Sequence, residues 1–105
     1  MILLISLLTG CIRDPSISAY NKGLDHGKAA DYEKAIQQYT ESIQINPKLG
    51  KAYNARCLSY NQLRNFELAI QDCDKAIELN SNYFDAYHNR GLAYDNLGQH
   101  SRAIK

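Results

Sequence analysis

The chain has no tryptophan, only two prolines and only one methionine. So few prolines leave long stretches free to stay helical, since proline breaks a helix interior. Runs of alternating apolar and polar residues are lacking, which argues against a half-buried sheet. No charge of one sign dominates: the formal net charge is +1. A basic field that would draw the chain to nucleic acid is therefore missing, as are zinc-finger, homeodomain and RNA-binding-sheet patterns. There is no Cys-x-x-Cys pair or Cys/His cluster, so no metal site is expected. No phosphate-cradling glycine loop occurs. No Ser or Cys nucleophile stands with a base in a recognisable motif. Carboxylates lie singly beside basic residues, as in Glu33-Lys34 and Asp74-Lys75, which a solvated surface explains. Neither catalysis nor a cofactor is expected.

What is present is a repeat. Ala35-Ile36-Gln37, Ala69-Ile70-Gln71 and Ala103-Ile104-Lys105 open the same phrase every 34 positions. Other positions recur in step: Ala19, Tyr53 and Tyr87; Gly23, Cys57 and Gly91; His26, Tyr60 and Tyr94; Tyr32, Phe66 and His100. A fixed period of this length marks a stacked helical array. Apolar residues at helical spacing predict helices over 17–29, 32–45, 51–63, 66–79, 85–97 and from 99 onward. Connections as short as Arg64-Asn65 force antiparallel hairpins. Small residues at Cys57 and Ala69 let backbones approach, and aromatics fill the gaps. Asp31 and Asn65 are placed to cap the second helices of their units, and Pro47 to stop the helix before it. With 105 residues, 45% hydrophobic and 22% charged, this is one small domain.

Residues 16–105 resemble the tetratricopeptide repeat, in its order of bulky residue, small residue, Tyr, Ala, aromatic, small residue and Pro. Arg56 and Arg90 stand where Leu is common, and Ser81 where Pro closes the unit. The resemblance implies an all-α, right-handed solenoid of hairpins. Its units are 16–49, 50–83 and a truncated 84–105, about two and a half repeats, which roughly ten more residues would complete. An incomplete last unit leaves a helix face uncovered, so self-association through that end is one expectation. A docking module of a larger enzyme is another.

The resemblance also implies a function: the first helix of each unit lines a concave groove that holds a partner peptide or helix. Those positions are Ile17, Tyr20, Asn21 and Leu24, then Lys51, Asn54, Leu58 and Asn61, then Asp85, His88, Asn89, Leu92 and Asp95. Asn21 and Asn89 match a ladder of asparagines that grips peptide backbone in the family, since an amide both donates and accepts. Ala55 interrupts it. Chaperone-binding members clamp a carboxylate with Lys, Asn and Arg, where this chain carries Tyr20, Leu24, Ala55, Asp85 and Asn89. No such clamp is expected.

Residues 1–11 form an apolar run too short to span a bilayer as a helix. Leu8-Thr9-Gly10-Cys11 resembles the bacterial lipobox, in which cleavage precedes a Cys that is then lipidated. No Lys or Arg precedes the run, as an ordinary signal would have. The resemblance implies a lipid-anchored Cys11, a tether over 12–15, and placement in the bacterial envelope, facing the periplasm from the outer membrane. The alternative is a cytoplasmic protein with 1–12 packed on the first unit. The tetratricopeptide resemblance implies that Cys57 and Cys73, on the two helices of one unit, face each other. A disulfide between them is possible in an oxidising compartment, but small buried thiols are the expectation. His26 and His100 are expected to replace aromatic core residues, and His88 to face the groove.

Overall fold

The computed structural model describes the backbone of residues 14–104 and the side chains of residues 14–98. Cys11 and the apolar run before it lie outside them. Five helices follow in order: α1 Pro15–Lys28, α2 Tyr32–Ile45, α3 Gly50–Gln62, α4 Phe66–Leu79 and α5 Phe84–Ile104. The described residues contain no strand. Each helix packs against the next, and the first helices of successive units also touch, α1 on α3 and α3 on α5. The result is an all-α solenoid of about two and a half repeats.

Local chemistry sets the helix ends. Asp14 precedes α1 and its carboxylate accepts from the Ser16 N–H at 2.9 Å and the Ser16 hydroxyl at 2.6 Å. These bonds, the hydroxyl first, hold the Asp14 carboxyl below its ordinary value. Pro15 sits in the first turn, where a missing N–H goes unnoticed. Asp31 caps α2 as expected, accepting from the Lys34 N–H at 3.4 Å. Asn65 holds the same place before α4, but its side chain makes no cap bond, so that expectation fails. Both hairpins turn through a non-glycine residue in the left-handed region, Ala30 at φ 60° and Arg64 at φ 62°.

The core is built from small residues. Ala35, Ala52, Cys57, Ala69, Cys73, Ala76, Ala86 and Ala93 are fully buried, with Tyr39, Tyr53 and Phe66 filling the spaces between helices. Cys57 and Cys73 are joined in a disulfide, Cα to Cα 5.6 Å, between α3 and α4. The expectation of two free thiols is thereby overturned. The small-residue positions bring the two backbones so close that the sulfurs meet.

Departures from the repeat pattern also find their reasons. Arg56 lies in a half-buried seam. Its Nε and Nη2 donate to the Asp72 carboxylate on α4 at 2.7 and 2.8 Å, and its Nη1 donates to Thr40 on α2 at 3.0 Å. A leucine there could not tie three helices together. Arg90, one repeat later, donates to Asp74 at 2.8 Å. The Tyr53 hydroxyl donates to the Pro47 carbonyl at 2.9 Å, and Tyr87 repeats this toward the Ser81 carbonyl at 3.1 Å. The acceptor is backbone, so serine serves where proline stood.

One element differs from expectation. The predicted break near residue 98 is absent, and α5 runs straight from Phe84 to Ile104.

Candidate partner-binding groove

The first helices α1, α3 and α5 carry the residues predicted to line the groove. Between the first two units the structure forms a cleft of about 340 Å³. Tyr20, Leu24 and Lys28 enter it from α1, and Asn54, Leu58 and Gln62 from α3. Tyr32 and Tyr39 reach in from α2, which a reading confined to first helices missed. The available signal was Gly23. A Cβ there would collide with the Tyr39 ring, so the glycine is what lets this ring pass α1. The rings of Tyr20 and Tyr39 lie 5.9 Å apart. Lys51 is exposed and places its ammonium 4.9 Å over the Tyr20 ring, a cation–π contact that presents positive charge at the cleft mouth.

The cleft is an aromatic and aliphatic hollow with amides on one wall. Its one charged lining residue is Lys28. Burial pushes the Tyr39 phenol up to about 12 and the Tyr20 phenol in the same direction. Both stay neutral donors at physiological pH. Such a site can seat an apolar side chain and hydrogen-bond the backbone that carries it.

One position of the third unit departs from the predicted layout. Asp85, His88, Leu92 and Asp95 are exposed on α5 and Asn21 is exposed on α1. Asn89 is not: it is buried. Its amide donates to Asn54 Oδ1 at 3.0 Å, and its carbonyl accepts from Asn61 Nδ2 at 2.9 Å. Three of the asparagines assigned to the groove thus bond to each other and join α3 to α5. His26 is partly buried, as a substitute for a core aromatic should be. Among the described residues no group of His, Cys, Asp or Glu is arranged to hold a metal, and no helix is long and apolar enough to cross a membrane.

Comparison with known proteins places this geometry. Residues 16–49, 50–83 and 73–105 each match the tetratricopeptide repeat. The Photosystem I assembly protein Ycf3 of Rippkaea orientalis is 35% identical over 48 residues, 46% of this chain and 28% of that protein. Hsp70-Hsp90 organizing protein 1 of Arabidopsis thaliana is 48% identical over 42 residues, 40% of this chain and 7% of that protein. The chain therefore spans a minor part of either relative. Among solved structures, the first TPR of Spaghetti (RPAP3) bound to the HSP90 peptide SRMEEVD superposes with a TM-score of 0.79 at 30% identity, covering 81% of this chain and 68% of that one. The Arabidopsis OM64 TPR domain gives 0.79 at 32%, covering 84% and 73%. The TPR2B domain of yeast Sti1, in complex with an Hsp70 peptide, gives 0.79 at 29%, covering 86% and 72%. The neighbours that carry a ligand are peptide-binding domains, and the architecture is that of a protein-interaction module. With its repeat pattern, its stacked hairpins and these likenesses, the chain belongs to the tetratricopeptide repeat family.

Proposed function

We propose that this chain acts as an adaptor that holds an extended segment of a partner protein in the groove, with the cleft between its first two units as the anchor point. The cleft is the observation that carries this reading. It takes one apolar side chain of the partner between Tyr20, Leu24, Tyr39 and Leu58. Lys28 and Lys51 favour a carboxylate next to that side chain. No bond-making step is involved.

The peptide seen with the Spaghetti domain ends in Glu-Glu-Val-Asp. This chain has Tyr20, Leu24, Ala55, Asp85 and Asn89 where a carboxylate clamp needs cations and asparagines. Asp85 has the wrong sign, and Asn89 is buried. We expect that SRMEEVD is not held through such a clamp, so that any binding seen by calorimetry is unchanged on altering Asn89. Binding that vanished on altering Asn89 would overturn this.

Panning a displayed peptide library against the protein tests the groove. Enriched peptides should share an apolar residue beside an acidic one. They should bind the Leu58→Asp variant at least ten-fold more weakly. No enrichment, or equal binding by the variant, would sink the proposal.

We further propose that the adaptor is tethered to a bacterial envelope through Cys11. The support is the Leu8-Thr9-Gly10-Cys11 sequence together with the Cys57–Cys73 bond, since disulfides persist in oxidising compartments and are rare in the cytosol. Intact mass of protein taken from membranes of cells expressing it with an upstream extension is the test. Loss of residues 1–10 with a lipid-sized addition on Cys11 is expected. An unmodified chain in the soluble fraction would remove the tether.

A further inference from the structure

Two deeply placed hydroxyls line the cleft between the first two units. They belong to Tyr39 and Ser59, residues only 3% and 4% exposed. Polar groups at such depth ordinarily hold a partner. The other buried serines do: the Ser42 hydroxyl donates to the Ser16 carbonyl at 2.7 Å, and the Ser16 hydroxyl to the Asp14 carboxylate at 2.6 Å. The buried Tyr53 hydroxyl donates to the Pro47 carbonyl. Among the described residues, neither the Tyr39 phenol nor the Ser59 hydroxyl makes a bond of this kind. Gln38 Oε1 and Asn61 Oδ1 are sealed in without a partner, but these two oxygens are not. Both open on the cleft. Packing alone does not call for them. One repeat on, the same positions hold Cys73 and Ala93, both fully buried without a hydroxyl.

From this arrangement we infer that the cleft is built for a tyrosine side chain of the partner, its ring among Tyr20, Leu24 and Leu58 and its phenol against the hydroxyls of Tyr39 and Ser59. The inference rests on the groove reading and narrows the apolar side chain of that reading to a ring with a polar tip. A hollow of about 340 Å³ has room for a ring, and aromatic walls favour one through edge-to-face contacts. An aliphatic side chain or a phenylalanine would cover both hydroxyls and give them nothing to bond, which is costly in a dry site. An indole N–H only donates, so it serves one oxygen and leaves both hydroxyl protons unplaced. A phenol donates and accepts. It can give its proton to one of the two oxygens and take a proton from the other.

p-Cresol, the tyrosine side chain without its backbone, tests the pocket apart from any peptide. Toluene is the same molecule without the oxygen. Each is titrated into the full, isotope-labelled chain and followed by NMR at the amides of Tyr39 and Ser59. p-Cresol should bind saturably there, about ten-fold more tightly than toluene, the worth of one well-made hydrogen bond. Ser59→Ala and Tyr39→Phe each remove one oxygen that holds no part of the fold together. In the double variant the two affinities should become level, with toluene bound as before. No saturable binding of p-cresol, equal binding of toluene to the unaltered protein, or a preference that survives the double variant would overturn the inference. So would 3-methylindole binding as tightly as p-cresol. Failure here is distinct from failure of the groove. Panned peptides that anchor through leucine would defeat the tyrosine inference and leave the groove standing. p-Cresol held by a protein that enriches no peptide would do the reverse.

Discussion

Cys57 and Cys73 close a loop with a sequence separation of 16. Cross-linking a loop of that size restricts the unfolded chain and stabilises by about 3 kcal/mol. Replacing both by serine should lower stability by that order, read as a fall in urea midpoint. An unchanged midpoint would mean that the thiols are reduced in the folded protein. The tyrosines give a second prediction at this scale. An unfolded tyrosine titrates near 10, whereas burial raises Tyr39 to about 12. Above about pH 10 the unfolded chain releases its proton first, so the unfolded state gains. This contribution to stability is complete below pH 10 and is lost as pH rises toward 12. Phenolate absorbance during an alkaline titration should show a late class of tyrosines that joins the rest on unfolding.

At the scale of the helix, one repeat position gives opposite predictions in two places. Gly23 abuts the Tyr39 ring, and Gly91 faces open space. Gly23→Ala forces the ring aside and should cost about 1–3 kcal/mol, the range for overpacking. Gly91→Ala meets nothing and gains helix propensity, about 1 kcal/mol in the other direction. Thermal melts of both variants at a single low concentration would check this pair of signs. The helices themselves were legible in the sequence because their small and aromatic residues keep helical spacing. Arg56 was not legible as a strut, since its worth comes from Thr40 and Asp72 on two other helices. Asn89 was misread for a related reason. Its position faces the groove in a generic hairpin, but Asn54 and Asn61 engage it here. The run of α5 through Gly98 was also missed. A glycine there, one repeat after the turn residues Ala30 and Arg64, reads as a turn.

Across the whole molecule, stability in a linear array is the sum of each unit and its neighbours. The middle unit has a neighbour on both sides and the disulfide between its helices. Amide exchange should therefore be slowest in α3 and α4 and fastest toward the end of α5. Uniform protection along the array would contradict this. The cleft lies between α1, α2 and α3, so one of its walls belongs to the most protected unit. A groove built there is preorganised, and little ordering is needed when a partner binds.

The bond between Cys57 and Cys73 has a mechanical consequence. When the protein is pulled from its two ends, the helical segments outside the bond can unravel, but the 16 steps of chain between the sulfurs, with parts of α3 and α4, never bear load. At about 3.4 Å per extended residue, less the 5.6 Å that the bond itself spans, the oxidised chain stops roughly 50 Å short of the length its reduced form reaches. A partner tugging on one end would meet an extensible strap with a built-in stop, and the redox state of one buried cystine sets where that stop lies.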